Sequence, residues 1–217
     1  MKLKEIPISL YKSWYLNSLN HTRLMNTNRE KVGVVVSLTT IPSRLSSLHL
    51  VIRSLLVQSL LPERIVLWVH ESLEGKLPKK LISLCGDLFE IRYTKGTTSH
   101  RKLVHSLVAF PGSPIVTCDD DLLYPEDWLK NLAEEAKKYP ENILANQTRY
   151  IRYYPDGGVK PYSEWQYPQD TFNKMAVIGI GAGGVWYPLG ALDPQVTDEL
   201  LFMALAPRAD DLWFKWH

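Results

Sequence analysis

The sequence predicts an α/β fold with a mixed, mainly parallel sheet flanked by helices, and three observations carry that expectation. Uncharged, β-branched runs such as Val32–Leu38 have the composition of strands buried on both faces. Over residues 32–139 such runs alternate with stretches whose apolar residues recur at helical spacing. The apolar run Ile115-Val116 is followed closely by three carboxylates, Asp119-Asp120-Asp121, and then by Pro125, which can open a helix. That is the pattern of a strand delivering acids to its carboxyl end, where open α/β sheets bind ligands.

A chain of 217 residues with 45% hydrophobic content supports one sizeable core better than two. A net charge of +2 is too small for a partner that tracks a nucleic-acid backbone. Cys85 and Cys118 stand in apolar or strand-like surroundings, which suits reduced thiols and offers no disulfide framework. The chain has neither an apolar run long enough to span a bilayer nor the uninterrupted apolar core of a signal peptide, so a cytoplasmic protein is expected.

Residues 1–31 form a basic extension. Lys2, Lys4, Lys12, Arg23, Arg29 and Lys31 oppose only Glu5 and Glu30, interleaved with Leu10, Tyr11, Trp14, Tyr15 and Leu19. This mixture suits peripheral contact with the anionic inner face of a membrane or docking on a partner; a helix packed on the parent domain is the alternative.

The remainder, 32–217, reads as one domain with a nucleotide-binding half (32–140) and a second half (141–217). Val32–Leu38 is the first strand, Thr39–Arg44 a polar turn, and Leu45, Leu48, Val51, Ile52, Leu55 and Leu56 mark the first helix. Arg64–His70 completes a right-handed βαβ unit. A short helix follows Pro78, and Phe89–Tyr93 alternates as a strand nearer a sheet edge does. Ser99 is placed to cap a helix carrying Leu103, Leu107 and Val108. The acidic strand end leads into a helix from about Pro125 to Tyr139, with Trp128, Leu129, Leu132 and Ala136 on one face.

Beyond Pro140 strands are expected around Ile143–Asn146 and Arg149–Tyr154, with a hairpin turn at Pro155–Gly158. Tyr153, Tyr154, Tyr162, Trp165 and Tyr167 make this region aromatic, which suits stacking on sugar rings and equally suits a plain core. Met175–Gly184 is glycine-rich, a helix is expected over about Thr197–Ala206, and Ala209–Lys215 reads as an Asp-capped last helix.

Asp119 and Asp121 are two residues apart and in extended geometry point to the same side, with Asp120 pointing away. Two ionised carboxylates on one side call for a cation between them, and Mg²⁺ or Mn²⁺ with hard oxygen ligands supplies it; a solvated acidic loop is the alternative. His100, Arg101, Lys102 and His105 open the preceding helix. Cations there oppose the helix dipole and ask for an anion nearby, such as a diphosphate. Of the paired acids Asp210 and Asp211, capping accounts for one and leaves the other as candidate base. The glycine cluster either lets backbone approach a substrate closely or is a tight turn.

In order and spacing, Val34–Arg44, the Lys102-Leu103 helix start, Asp119–Asp121, Gly181–Trp186 and Ala209–Asp211 resemble the GT-A glycosyltransferases, specifically the bacterial family-2-like enzymes of surface polysaccharide synthesis. The resemblance spans roughly residues 32–215 and implies a Rossmann-like GT-A domain. By that resemblance Thr39, Pro42, Arg44, Lys102, Asp119, Asp120, Gly183 and Gly184 bind the nucleotide sugar. Asp119 and Asp121, with His217 completing the shell, hold Mn²⁺ or Mg²⁺, and Asp211 is the catalytic base. It further implies a UDP-sugar donor, with galactose or galactofuranose favoured, and a saccharide or lipid-linked saccharide acceptor. The chain stops soon after the candidate base, so further acceptor-side residues are expected from a longer chain or a partner, and homo-oligomerisation stays open. A retaining transferase of the same fold, a sugar nucleotidyltransferase and a non-catalytic sugar-binding module are the rival readings.

Overall fold

The computed structural model describes residues 6–167 and 174–217. Lys2, Lys4 and Glu5 of the basic extension lie outside them.

The described chain is a mixed α/β structure built on a six-stranded, mostly parallel sheet flanked by helices. Strands β1 (Lys31–Thr39), β2 (Leu61–His70), β3 (Phe89–Thr94), β4 (Ile115–Thr117), β5 (Leu144–Ala145) and β8 (Val185–Tyr187) stand in the order β3-β2-β1-β4-β8-β5. The first four run parallel, whereas β8 runs antiparallel to both β4 and β5. A second, two-stranded sheet pairs β6 (Thr148–Tyr150) with β7 (Val177–Gly179).

The alternation of side chains along the central strands builds a core on each face of the sheet. Val34, Val36 and Leu38 of β1 and Ile65, Leu67 and Val69 of β2 enter one core; Val35, Val66 and Trp68 enter the other. Helices α1 (Ile6–Ser18), α2 (His21–Leu24), α3 (Leu45–Leu56), α4 (Lys79–Ile82) and α6 (Trp128–Lys138) contribute to the first core. Helices α5 (Arg101–Ala109), α7 (Glu199–Leu205) and α8 (Asp210–Trp216) cover the opposite face. The expected helical faces are the buried ones: Leu48, Val51, Ile52, Leu55 and Leu56 in α3, and Trp128, Leu129, Leu132 and Ala136 in α6.

The basic extension is not a free appendage. Leu16, Leu19 and Leu24 are buried in the first core, and Arg53 of α3 donates to the carbonyls of Leu16 (2.5 Å) and Leu19, closing the carboxyl end of α1. Arg29 does the same for α3, donating to the carbonyls of Leu56 (2.6 Å) and Gln58 (2.7 Å).

Two expected caps differ. The N-cap of α5 is His100, with no side-chain hydrogen bond, so Ser99 does not cap that helix. In α8 the N-cap is Ala209, and Asp210 and Asp211 stand inside the first turn. Both acids take partners from other elements in place of their own helix's N–H groups.

The aromatic excursion between β6 and β7 includes an isolated bridge, Tyr153↔Val159, across a turn with Gly157 at φ +87°. Tyr153, Tyr154, Tyr162 and Tyr167 are exposed, which removes the plain-core reading for those four.

At the start of β8, Gly184 has φ +97°, and a Cβ there would stand 2.5 Å from the Trp128 indole. Gly190 has φ +74° with open space around it. Gly184→Ala is expected to lower unfolding free energy by about 2–4 kcal/mol through strain plus overpacking. Gly190→Ala meets only the penalty of an L side chain at positive φ, about 1–2 kcal/mol. Urea titration of the two variants measures the difference.

Candidate active site

The chain runs outward from β1 to β2 and β3, then returns to lay β4 against the opposite side of β1. The sheet therefore has its topological switch between β1 and β4, and the crevice at their carboxyl ends is where such sheets take ligands. Thr39 and Thr40 leave β1 there, and Cys118 and Asp119 leave β4.

Asp119 and Asp121 are partly exposed and Asp120 is buried, but strand alternation is not the cause: the chain abandons extended geometry after Thr117 and turns at Asp120-Asp121. Asp119 accepts from Lys102 Nζ at 2.7 Å. Asp120, almost fully buried, accepts from the Thr40 hydroxyl at 2.6 Å and pairs with Arg44, whose other nitrogen reaches Asp121 at 3.0 Å. Asp120 is thus the structural member, tying the acid turn to the turn after β1, and Pro42 at the start of a 3₁₀ turn sets up Arg44. The Thr39 hydroxyl points elsewhere, donating to the Trp68 carbonyl at 2.9 Å, so Thr40 makes the contact with the acid turn.

Lys102 is the centre of the second group. Its buried ammonium stands 2.7 Å from Asp119 and 3.0 Å from Asp210. Burial alone would lower its pKa, but the charges of Asp210, Asp119 and Asp211 outweigh that and hold it above the ordinary lysine value. The two α8 acids are driven apart. For Asp210 burial raises the pKa, yet the Lys102 charge outweighs it and the net shift is downward. For Asp211 burial first, and the Asp210 charge second, push the carboxyl up to about 6, against Lys102 and the Gly181 N–H. That N–H donates to both Asp211 oxygens at 3.1 Å.

Of the cationic helix start, only Arg101 and Lys102 keep a charge near neutrality. Burial lowers the pKa of both His100 and His105. His100 stacks on Phe202 at 4.3 Å. Arg101 is buried, donates to the carbonyls of Thr40 (3.1 Å) and Thr98 (3.0 Å), and keeps one buried guanidinium nitrogen without a partner among the described residues. Leaving such a donor unpaired costs about 1–3 kcal/mol.

The glycines divide by role. Gly181 faces the charged cluster: a Cβ there would stand 2.7 Å from Lys102 Nζ and 2.9 Å from an Asp211 oxygen. Gly183 and Gly184 meet packing demands, the former against Gln147 at 2.6 Å and the latter against Trp128. Two residues outside the expected set hold this segment to the acid turn. The Tyr124 hydroxyl accepts from the Asp119 N–H (2.8 Å) and donates to the Ala182 carbonyl (2.9 Å), while the Trp128 indole donates to the Gly183 carbonyl (2.8 Å). In the sequence Trp128 reads only as part of a helical face and Tyr124 precedes that helix, so neither signals the tether.

Asp211 also lines a cleft of about 680 Å³ whose walls include Thr148, Val185, Tyr187, Trp216 and His217. His217 borders this cleft with its ring 4.2 Å from that of Trp213. Among the described residues no three His, Cys, Asp or Glu side chains converge as a metal cage, and His217 completes no shell with Asp119 and Asp121. The available donor set is a pair of partly exposed carboxylates, Asp119 and Asp121, each with one oxygen on a cation and the second without a hydrogen-bond partner among the described residues. Mg²⁺ characteristically uses one or two such carboxylates together with substrate phosphates, so the pair fits an ion shared with a ligand and not a resident centre.

No protein-family model matches the chain, and no curated protein matches it. Among solved structures it is similar to 4-diphosphocytidyl-2C-methyl-D-erythritol synthase from Anaerococcus prevotii, at 12% identity and a TM-score of 0.47, with 87% of this chain and 82% of that one covered. A likeness of that degree carries no argument about family or activity, which leaves the chain's own residues to decide.

Replacing Lys102 by Met strands Asp119, Asp210 and Asp211 without their buried counter-charge, and about 3–5 kcal/mol of stability is expected to go. The stranded carboxyls then bind protons more tightly folded than unfolded, so the variant should recover stability as pH falls from 8 to 5. Urea midpoints of wild type and variant at the two pH values measure both effects.

Proposed function

We propose that the chain is a nucleotide-sugar-dependent glycosyltransferase that moves a hexose from a UDP-sugar to a saccharide acceptor by a single inverting displacement. The observation that carries this reading is the position of Asp211. It shares the field of Lys102 with Asp119 at the β1/β4 switch, and it also lines the 680 Å³ cleft. A carboxylate with a pKa of about 6 at the junction of a diphosphate crevice and an open cleft is suited to take a proton from an acceptor hydroxyl near neutral pH.

In this reading Arg44, Arg101 and Lys102 bind and orient the diphosphate, Asp120 fixes the turn that aims Arg44, and Gly181 keeps the approach to Asp211 open. A Mn²⁺ or Mg²⁺ ion brought in with the donor would be held by Asp119 and Asp121, and when bound it neutralises charge on the departing nucleotide. Asp211 accepts the acceptor proton as the new glycosidic bond forms, with inversion because a single displacement is involved.

A second reading, nucleotidyl transfer to a sugar phosphate, is favoured by one observation: Arg44 sits in the turn directly after β1, where a cation can meet a nucleoside triphosphate. That turn, Thr39–Arg44, contains no glycine.

Incubation with Mn²⁺ and a panel of nucleotide sugars should release nucleotide from one donor, and Asp121→Ala should abolish the release. Pyrophosphate release from a nucleoside triphosphate plus sugar phosphate would instead select the second reading, and no turnover of either kind would overturn both.

Asp211→Asn is expected to retain donor affinity while lowering kcat about 10²–10⁴-fold, the usual contribution of a positioned base. In the wild type kcat should rise with pH through about 6, as Asp211 loses its proton. Asp210→Asn removes the neighbouring negative charge and should move that limb to lower pH. An unmoved limb would place the base elsewhere.

A further inference from the structure

We propose that the outward face of α1 is an interfacial anchor that seats the protein on an anionic lipid surface. The helix is apolar on both sides. Its inner side buries Leu16 and, just past its end, Leu19, while Ile8, Leu10, Tyr11 and Trp14 are each between 59% and 66% exposed. At about 100° per residue Leu10, Trp14 and Tyr11 fall within roughly a third of the helix circumference, with Ile8 one step beyond Tyr11. The Tyr11 and Trp14 rings stand 6.1 Å apart. A surface helix normally turns polar residues outward, whereas the outward side of α1 is occupied largely by apolar and aromatic residues.

The helix is held in a fixed attitude, so the stripe is displayed and not free to fold back. Arg53 binds the Leu16 and Leu19 carbonyls, and the Tyr15 hydroxyl donates to Glu126 at 2.9 Å while accepting from Arg23 at 3.0 Å. Arg23 and Arg29 are engaged within the protein, but Lys12 has no ion-pair partner among the described residues, and Lys2 and Lys4 precede the helix in sequence against the single Glu5.

Exposed Trp and Tyr on a segment whose sequence is net basic match the headgroup region of an anionic bilayer, where aromatic rings sit at the interface and lysines add electrostatic attraction. No helix of the described residues is long and apolar enough to cross a membrane, so the contact is peripheral. A second copy of the chain is a poorer occupant. Four side chains on one short helix fall well short of the roughly 20–30 residues a side that a stable protein interface uses.

The test is sedimentation of the full chain with vesicles of phosphatidylcholine mixed with phosphatidylglycerol, against vesicles of phosphatidylcholine alone. Binding is expected on the anionic vesicles, weakened on the neutral ones and weakened by added salt. Tyr11→Ser/Trp14→Ser should weaken it at least about tenfold, with an unchanged thermal midpoint because both side chains are exposed. Vesicle binding that is absent in the wild type, or undiminished in the double variant, overturns the proposal. A dimer seen by light scattering and dissolved by the same double variant also overturns it, in favour of a second copy.

Discussion

The ammonium group of Lys102 is the constraint on which the site depends. It is buried at the start of α5, and a buried charge without partners costs several kcal/mol, so the end of β4 and the start of α8 must each bring a carboxylate to it. One cation therefore fixes three elements from distant parts of the chain. It also dictates the shape of a fourth: at Gly181 any side chain would collide with Lys102 and Asp211, so the segment leading into β8 has to pass as bare backbone. The antiparallel pairing of β8 with β4 holds the second half of the chain to the sheet, and the Lys102 cluster fixes where its acids stand.

A second constraint works in parallel at Asp120. This carboxylate is nearly fully buried, and Thr40 and Arg44 satisfy it. It locks the turn after β1 to the turn after β4, so both lips of the switch-point crevice form one unit. Arg44 and Lys102 thus carry charge toward the crevice while already anchored to carboxylates, and a ligand entering there meets cations that need little ordering.

Much of the fold was legible in the sequence because its strongest signals are periodicities set by burial. The central strands are buried on both faces and had to be uninterrupted apolar runs; α3 and α6 pack on one side only and had to show a 3.6-residue stripe. The site was legible to the level of segments. The acidic triplet, the Lys102 helix start, the glycine run and the late acid pair do come together, but individual assignments failed where regular geometry ends. Alternation predicts nothing once the chain turns, so Asp120 and Asp121 share Arg44 while Asp119 goes to Lys102. Thr39 and Thr40 are indistinguishable as letters, yet one residue of register sends the first hydroxyl to β2 and the second to the acid turn. Gly181 stands out from Gly183 and Gly184 only through what lies opposite each, and no local pattern encodes that. For the extension, composition left contact with a membrane or partner and packing on the domain both open; Leu16, Leu19 and Leu24 enter the core and Arg29 is engaged on backbone carbonyls, so its described residues pack on the domain.

The adjacent acids of α8 show how a site can assign two roles to one residue type. Asp210 and Asp211 share a helix turn and differ by one position, about 100° of helical rotation. That rotation brings Asp210 against Lys102, where its charge is needed to balance a buried ammonium and is held below the ordinary carboxylate range. Asp211 receives only the outer part of that field, feels the fixed negative charge of its neighbour, and is left with a single N–H donor from Gly181. The two roles are coupled, since the Asp210 charge that keeps Lys102 in place is also, after burial, the largest influence raising Asp211. Pairs of carboxyls whose environments push them apart in this way are how acid–base assignments are recognised. The proposed assignment of Asp211 as base therefore rests on electrostatics internal to the cluster.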